Sequence, residues 1–344
     1  MSPERPPVTD AQSLAAALPV DEEAAARVAR RYPLRIPAHF LSLIRKPQDP
    51  LWRQAVPSLE ELSAWDAPDP LGEEAQSPTP GLVHRYPDRA LFLVESRCAL
   101  YCRHCMRKRR TGEARAVSPG ALAAGLDYIR RTPALREVVL SGGDPLMMNE
   151  EALVSLLARL KAIRHVEVLR IHTRVPGADP DRVTERLASE LARFAPLFVN
   201  IQFNHPAELT EKARLACRRL LSAGIPLGSQ SVLLSGVNDD AQILARLFLG
   251  LLSMGVRPYA LHHPDPVAGT RHFSVPLERG LALVSSLRGR ISGMAVPHYL
   301  LDLPGGGGKT ALLPGVAEKI GEGIYRIKSF RGEWHTYSDR RMPA

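Results

Sequence analysis

The feature that most constrains the fold is a repeat, from about residue 90 onward, in which a short apolar run is followed by an amphipathic stretch roughly every thirty residues. The apolar runs predict strands at 90–96, 137–141, 166–172, 197–203, 226–234 and 257–262. The stretches between and after them predict helices at 118–131, 150–163, 181–194, 207–222, 239–254 and 277–290. Six strand–helix units predict an α/β fold in which a parallel sheet curls into a partial (β/α)6 barrel.

The residues before this repeat are rich in alanine, arginine and proline. Asp21 precedes a run that opens with acidic residues and closes with arginines, which is the charge order that suits a helix dipole. Ser58 offers a second helix cap. We therefore expect three parts: a helical N-terminal segment at 1–80, the partial barrel with its site at 81–312, and a short C-terminal extension at 313–344.

The composition of the 344 residues is that of a globular protein, with 45% apolar residues. No apolar run reaches the roughly 18 residues that span a bilayer. The first residues also lack the pattern of a signal peptide. We expect a cytoplasmic protein with no membrane partner.

Three of the four cysteines, Cys98, Cys102 and Cys105, follow the first predicted strand with C-x3-C-x2-C spacing. A cubane of four irons held by three cysteines keeps one iron free for an outside ligand, so the spacing indicates a reactive [4Fe–4S] cluster. A structural zinc site would need a fourth ligand, and Cys217 stands alone inside a predicted helix, which suits a small core residue. A disulfide framework is disfavoured because no secretion signal is present.

The net charge of +9 would by itself suit a nucleic-acid partner. However, the arginines are spread along the chain, and their densest run, 103–110, directly follows the cysteines. The anions expected there are small, namely a substrate carboxylate and a cofactor phosphate. We therefore favour a general basic surface over RNA binding.

Further polar residues lie where the other predicted strands end. A Gly-Gly-Asp turn at 142–144 follows the second strand, Asn-His at 204–205 follows the fourth, and Gln230 lies in the fifth. Asp265 follows the sixth strand. Because barrels of this type gather their chemistry at the carboxyl ends of the strands, we expect these residues to meet at one face.

Four consecutive glycines at 305–308 lead directly into Lys309. A P-loop is excluded because Leu303 occupies the position where that motif needs glycine, and Pro314 would interrupt the helix that should follow. Glycines let the backbone approach a ligand closely, and a desolvated lysine amine can form a Schiff base. Pyridoxal 5′-phosphate (PLP) is therefore a natural partner, and an ordinary loop lysine is the alternative.

At these motifs the chain resembles known proteins. The cysteine triad resembles that of the radical S-adenosylmethionine (SAM) enzymes, in which the open iron binds SAM and reduces it to a 5′-deoxyadenosyl radical. Over most of residues 80–312 the sequence is similar to the lysine 2,3-aminomutase family, with matches at 84–89, 98–109, 141–144, 204–206, 226–234, 292–297 and 302–309. The resemblance implies a radical SAM barrel and an isomerase that interconverts L-lysine and β-lysine with a [4Fe–4S] cluster, SAM and PLP.

The resemblance also implies a role for each matching residue. Lys309 would bind PLP, with Arg85, Tyr86 and Arg89 near the phosphate. The methionyl part of SAM would lie against Ser141, Gly142, Gly143 and Asp144, with Gln230 close by. The cluster would be held by Cys98, Cys102 and Cys105. Arg107 would pair with the substrate carboxylate, whereas Asp265 and Asp302 would hold the distal ammonium of lysine. Either aspartate alone would also suit a turn or a strand end, but a carboxylate pair favours lysine over glutamate.

Such an enzyme needs an external one-electron reductant of the flavodoxin or ferredoxin type. A close alternative is a short relative that supplies β-lysine for the modification of elongation factor P. A radical SAM enzyme that modifies RNA, and a non-enzymatic iron–sulfur or zinc protein, are less favoured.

The chain also departs from the family. It has no cysteine after Cys217 to match the zinc site of the known mutases, which leaves a homo-oligomer open, and His262 stands where a tyrosine near the pyridoxal ring is expected.

Overall fold

A nine-stranded sheet forms the centre of the molecule, and its strands follow one another across the sheet in chain order. The structure is a computed structural model that describes residues 6–63, 67–112, 117–313, 315, 317–322, 324–329 and 331–338. The strands are β1 (Leu82–Tyr86), β2 (Arg89–Glu95), β3 (Glu137–Gly142), β4 (Val168–Thr173), β5 (Leu197–Gln202), β6 (Leu227–Val232), β7 (Arg257–His262), β8 (His298–Leu303) and β9 (Gly308–Ala311). Neighbours from β2 to β8 pair in parallel, whereas β1 and β9 pair antiparallel at the two edges.

This sheet confirms the α/β fold and the partial barrel. All six predicted strands are present as β2 to β7, with ends displaced by no more than two residues. The sequence patterns missed the remaining three strands. β1 and β9 are short edge strands with polar residues, so their pairing depends on tertiary contacts more than on an apolar pattern. β8 lies between Pro297 and Pro304, a context that favours a loop assignment.

Eleven α-helices surround the sheet within the part of the chain that the structure describes. They are α1 (Ala11–Ala17), α2 (Glu22–Ala29), α3 (Ala38–Leu43), α4 (Pro50–Ala55), α5 (Pro119–Arg131), α6 (Glu150–Lys161), α7 (Val175–Ala178), α8 (Glu185–Ala192), α9 (Glu211–Ser222), α10 (Ala241–Ser253) and α11 (Leu277–Leu287). Two predicted helices begin later than expected. Thr184 caps α8 and Thr210 caps α9, so the chain before each cap forms only a short 3-10 turn.

Side chains along the central strands alternate between the hydrophobic core and the central cavity. In β4, Leu169 and Ile171 are fully buried in the hydrophobic core, whereas Arg170 and His172 face the central cavity. Because successive side chains of a strand point to opposite faces, one short strand supplies both core residues and cavity residues. The same alternation in β6 buries Ser229 and turns Gln230 toward the cavity.

The N-terminal segment is helical, as predicted, and packs against the same core as the barrel. Leu14 and Phe40 are fully buried in one cluster with the barrel residues. Asp21 caps α2 through the backbone N–H of Ala24, and Ser58 opens a 3-10 turn with a reciprocal capping box.

The C-terminal extension contains a separate three-stranded antiparallel sheet. Its strands are β10 (Ala317–Gly321), β11 (Ile324–Lys328) and β12 (Trp334–Ser338). Among the described residues, no helix has both the length and the apolar character needed to cross a membrane.

A buried charge cluster ties the cysteine loop to the N-terminal segment. Glu61 is completely buried, and its Oε2 accepts from Arg103 Nη2 at 2.5 Å and from Lys108 Nζ at 2.6 Å. Burial opposes ionisation, but these two cations outweigh it and hold the pKa of Glu61 below its usual value. Arg103 also donates from Nη1 to the carbonyl of Pro33 at 2.9 Å. The loop is therefore anchored by contacts distant in sequence.

We predict that Glu61→Gln lowers the free energy of unfolding by about 3–5 kcal/mol, because Arg103 and Lys108 are left buried without their counter-charge. Chemical denaturation at pH 7 measures the change, with Glu60→Gln, on the exposed side of the same turn, as the matched control. In the wild type this stabilisation is present above the ordinary carboxyl pKa and is lost as pH falls through the lowered pKa of Glu61. Equal stability of the two variants would contradict the assignment.

Candidate active site

Every residue assigned a role in the site lines one cavity of about 510 Å³ at the centre of the partial barrel. Asn204 and His205, which were also expected at this face, are not among the residues of its wall. Asn204 is instead fully buried, where its Nδ2 donates to Gln54 Oε1 at 2.9 Å. All nine strands of the central sheet contribute side chains to its wall. Cys98 lies in the loop after β2, and Lys309 lies on β9. The sheet thus brings residues more than two hundred positions apart in sequence to a common space.

The cysteine loop presents Cys98, Cys102 and Cys105 to this cavity as free thiols. Burial raises the pKa of the Cys98 and Cys102 thiols, so the protein alone favours their neutral forms, and bound iron would supply the positive charge that keeps them as thiolates. Among the described residues no group of three or more histidine, cysteine or acidic side chains is arranged to hold a metal ion. A cubane does not need such convergence, because each cysteine binds a different iron.

The Gly-Gly-Asp turn after β3 packs directly against the chain that leads into the cysteine loop. The N–H of Gly143 donates to the carbonyl of Glu95 at 2.5 Å, and the N–H of Asp144 donates to that of Arg97 at 2.8 Å. A Cβ at Gly142 would lie 2.3 Å from the Glu95 oxygen, and one at Gly143 would lie 2.3 Å from the Arg97 oxygen. Glycine is therefore required here by backbone packing.

The carboxylate of Asp144 is engaged inside the protein. It accepts from Thr173 Oγ1 at 2.8 and 2.9 Å, from the N–H of Arg174 at 2.7 Å and from the N–H of Leu146 at 3.0 Å. Burial raises the pKa of Asp144 against these hydrogen bonds. The Asp144 carbonyl also accepts from the N–H of Met147 at 2.9 Å, so Asp144 braces the turn with both its side chain and its backbone.

Lys309 is placed by the edge strand β9 and not by a loose loop. Its backbone N–H donates to the Tyr86 hydroxyl at 2.8 Å, and its Nζ binds Asp302 Oδ2 at 2.8 Å. The side chain of Lys309 is 39% exposed, so it is not fully removed from solvent in this state. The ammonium is paired with a buried carboxylate instead.

Asp302 also binds the opposite edge of the sheet. Its Oδ1 accepts from Arg85 Nη1 at 2.8 Å, and Asp302 is almost fully buried. Arg89 lies over the Tyr86 ring at 3.8 Å from the centroid and pairs with Asp88 at 2.9 Å. The cavity therefore holds a lysine amine and two arginines close together, which suits an aldehyde that carries a phosphate.

Arg107 is held by a residue that the sequence analysis did not identify. Its Nε and Nη2 donate to the carboxylate of Glu73 at 2.6–3.1 Å, and Nη1 has no protein partner among the described contacts. Glu73 is buried, and Arg107 outweighs that burial to hold the pKa of Glu73 below its usual value. The ion pair leaves one edge of the guanidinium for a ligand in the cavity.

The remaining ionisable groups of the wall have pKa values shifted by burial. Burial raises the pKa of Asp265 to about 6, and the negative charge of Asp302 adds to the shift while Lys309 opposes it. Burial and the neighbouring Lys309 lower the pKa of His262 to about 3. His172, whose Nδ1 lies 3.1 Å from Gln230 Nε2, also has a pKa far below its usual value because of burial. Both histidines are therefore neutral at pH 7.

Several residues of the wall escaped the sequence analysis, among them Glu73, His172 and Arg174. His172 and Arg174 lie at the carboxyl end of the third predicted strand, where the rule applied to the other strands would have found them. Glu73 lies in an irregular segment before the barrel, and its contact with Arg107 spans 34 residues. No local pattern indicates such a contact.

Comparison with known proteins agrees with this geometry. The sequence profile of the radical SAM superfamily matches residues 94–248, and the C-terminal lysine-2,3-aminomutase profile matches residues 284–340. L-lysine 2,3-aminomutase of Acetoanaerobium sticklandii is 43% identical over 93% of this chain and 79% of its own length. The chain belongs to the lysine 2,3-aminomutase family. It is therefore an isomerase of the radical SAM type, and membership implies a [4Fe–4S] cluster and SAM.

Two further relatives also match most of the chain. L-lysine 2,3-aminomutase of Escherichia coli strain K12 is 39% identical over 89% of this chain and 92% of its own length. Glutamate 2,3-aminomutase of Clostridioides difficile is 35% identical over 95% of this chain and 79% of its own length. Because relatives with two different amino-acid substrates match over most of the chain, the substrate must be argued from the cavity.

We predict that Gly143→Ala destabilises the fold by about 1–3 kcal/mol and reduces cluster loading, since the new methyl group would push the chain before Cys98 out of place. Denaturation of the unloaded protein, together with iron and sulfide content after anaerobic reconstitution, measures both effects. Gly293→Ala is the matched control, because nothing lies within 4 Å of its added Cβ. Normal loading of the Gly143 variant would show that the tight turn is not needed.

Proposed function

We propose that this family member is a radical SAM, PLP-dependent 2,3-aminomutase that interconverts L-lysine and β-lysine. The observation that carries the proposal is that the cysteine triad and Lys309 line the same cavity. In this chemistry the cluster and SAM supply a 5′-deoxyadenosyl radical, and PLP supplies the group on which nitrogen migrates. An external one-electron donor of the flavodoxin or ferredoxin type is needed to reduce the cluster.

The residues of the cavity divide into three groups. The cysteine triad would hold the cluster, and the turn after β3 with Gln230 would hold the methionyl part of SAM. Lys309 would bind PLP, with Arg85, Tyr86 and Arg89 about its phosphate. In this structure Arg85 is bound to Asp302, so Arg89 is the more available cation for a phosphate. The three groups lie around one space, which would hold the reacting molecules close to one another.

The charges in the cavity favour lysine as substrate. Asp265 and Asp302 place two carboxylates in the wall, on the same side as Lys309. The side chain of lysine would bring a cation to them, whereas that of glutamate would bring a third negative charge. Asp302 can bind a distal ammonium only after Lys309 Nζ has left its Oδ2. Arg107 would bind the substrate carboxylate through its free Nη1 edge.

An irregular segment that precedes β1 lies beside the cavity and contributes Glu73 to its wall. The carbonyl of Pro70 accepts from the N–H of Gly305 at 2.9 Å, and Gln76 Oε1 accepts from Arg85 Nε at 2.6 Å. The first contact joins the segment to the glycine-rich turn between β8 and β9, and the second joins it to β1. A segment held in this way beside the cavity would help to exclude water and protect a reactive radical from side reactions.

An RNA-modifying role is disfavoured by how the arginine run is used. Each of its five cations is paired with a carboxylate of the segment before β1: Arg103 and Lys108 with Glu61, Arg107 with Glu73, Arg109 with Asp69 and Glu74, and Arg110 with Glu74. A surface that binds RNA needs cations available to phosphates. The same cavity would also suit an enzyme that supplies β-lysine for the modification of elongation factor P. An assay that offers free lysine and protein-linked lysine side by side distinguishes the two roles.

We predict that anaerobic protein with dithionite, SAM and PLP converts L-lysine to β-lysine and gives no β-glutamate from glutamate. Borohydride reduction should fix PLP to the peptide that contains Lys309. Lys309→Arg keeps the charge beside Asp302 but cannot form the imine, so it should lose both signals, whereas Lys319→Arg, on the exposed strand β10, should keep them. SAM cleavage by the wild type without β-lysine would refute the substrate.

We predict that the affinity for lysine rises as pH increases through about 6, because the Asp265 carboxyl ionises there and its anion attracts the substrate ammonium. Equilibrium dialysis of the unreduced holoenzyme between pH 5 and 8 measures this without turnover. Asp265→Asn should bind at least about tenfold more weakly at pH 7, near 1.4 kcal/mol, and lose the pH dependence. Asp127→Asn on the surface of α5 is the control, and an unchanged profile in the Asp265 variant would contradict this role.

A further inference from the structure

An unassigned contact joins the end of β4 to the cysteine loop. Arg174 directly follows β4, and its Nη1 donates to Cys102 Sγ at 2.7 Å. Arg174 is only 6% exposed, so solvent ions do not screen the contact. Neither the cysteine spacing nor the glycine-rich motifs point to this residue.

The guanidinium is held in place by the groups around it. Nη2 donates to Gln54 Oε1 at 2.6 Å and to Glu208 Oε2 at 3.2 Å, and the guanidinium lies 5.3 Å from the centroid of the Phe40 ring. The backbone N–H of Arg174 donates to Asp144, as described above. Gln54 and Glu208 are completely buried as well. The donor to Cys102 is therefore fixed from several directions.

We infer that Arg174 is a positioning residue that raises the reduction potential of the cluster through its hydrogen bond to the Cys102 sulfur. The inference rests on the proposed function, in which Cys102 is a cluster ligand. Reduction adds one electron from the external one-electron donor, and the added negative charge spreads over the iron and sulfur atoms. A buried cation that donates to a ligating sulfur stabilises this reduced form more than the oxidised form.

Glu208 provides the opposing charge. It is the buried carboxylate partner of Arg174, and its negative charge disfavours an added electron nearby. Arg174 and Glu208 should therefore shift the potential in opposite directions when each is neutralised. A merely structural role would not give this result, because loosening the site from either side would admit water to the same cluster.

The experiment is a potentiometric titration of the reconstituted cluster, monitored by EPR without substrate turnover. At the wild-type midpoint, Arg174→Met should lower the ratio of reduced to oxidised cluster at least tenfold, which is about 59 mV for a one-electron couple. Arg174→Lys, which keeps the charge, should lower it less, and Glu208→Gln should raise it. Arg219→Met removes a charge from α9, away from the cavity wall, and should leave the midpoint unchanged.

The outcomes separate this inference from the proposed function. A wild type that never assembles a cluster would refute both. A loaded Arg174→Met with the wild-type midpoint would overturn the inference alone, as would a shift of the Arg174 and Glu208 variants in the same direction. If Arg174→Met does not hold a cluster, the opposite shifts of Arg174→Lys and Glu208→Gln give the same test.

Discussion

Asp302 joins the two edges of the central sheet, and the position of Lys309 depends on this junction. One oxygen of its carboxylate binds Arg85 on β1 and the other binds Lys309 on β9. The Tyr86 hydroxyl adds a second link, from β1 to the backbone of β9. A curled sheet that stays open has two edges with unpaired backbone groups, and side-chain contacts between those edges help to hold them together. The amine thus reaches the cavity as part of the sheet.

The part of the cavity wall that carries the three cysteines is held by a buried charge cluster. Glu61 binds Arg103 and Lys108 in a fully buried cluster, and this fixes the loop that carries the three cysteines. The helical N-terminal segment therefore does more than cover the barrel, because it supplies the carboxylate on which the loop depends. The two reactive positions are held by separate charged contacts, and they meet because the sheet between them is continuous.

Local sequence patterns predict the central strands of the sheet, but they do not predict its edge strands or the contacts between distant segments. Apolar periodicity located β2 to β7, since buried parallel strands read as short apolar runs. The edge strand β9 has no such run, because it is defined by pairing with β8 and begins at a glycine with positive φ, Gly308 at 84°. Contacts such as Arg107 with Glu73 link distant segments of irregular chain. Most residues chosen by strand-end position line the cavity, with Asn204 and His205 as the exceptions. The contact partners of these residues could be identified only from the fold.

The most direct test follows deuterium placed on the β-carbon of L-lysine through anaerobic turnover. If the cluster, SAM and the lysine bound near Lys309 share one cavity, deuterium should appear at the 5′ carbon of the deoxyadenosyl group and return to β-lysine. SAM cleavage with no deuterium in the deoxyadenosyl product would show that the radical and the amino acid do not meet, and would contradict the shared cavity.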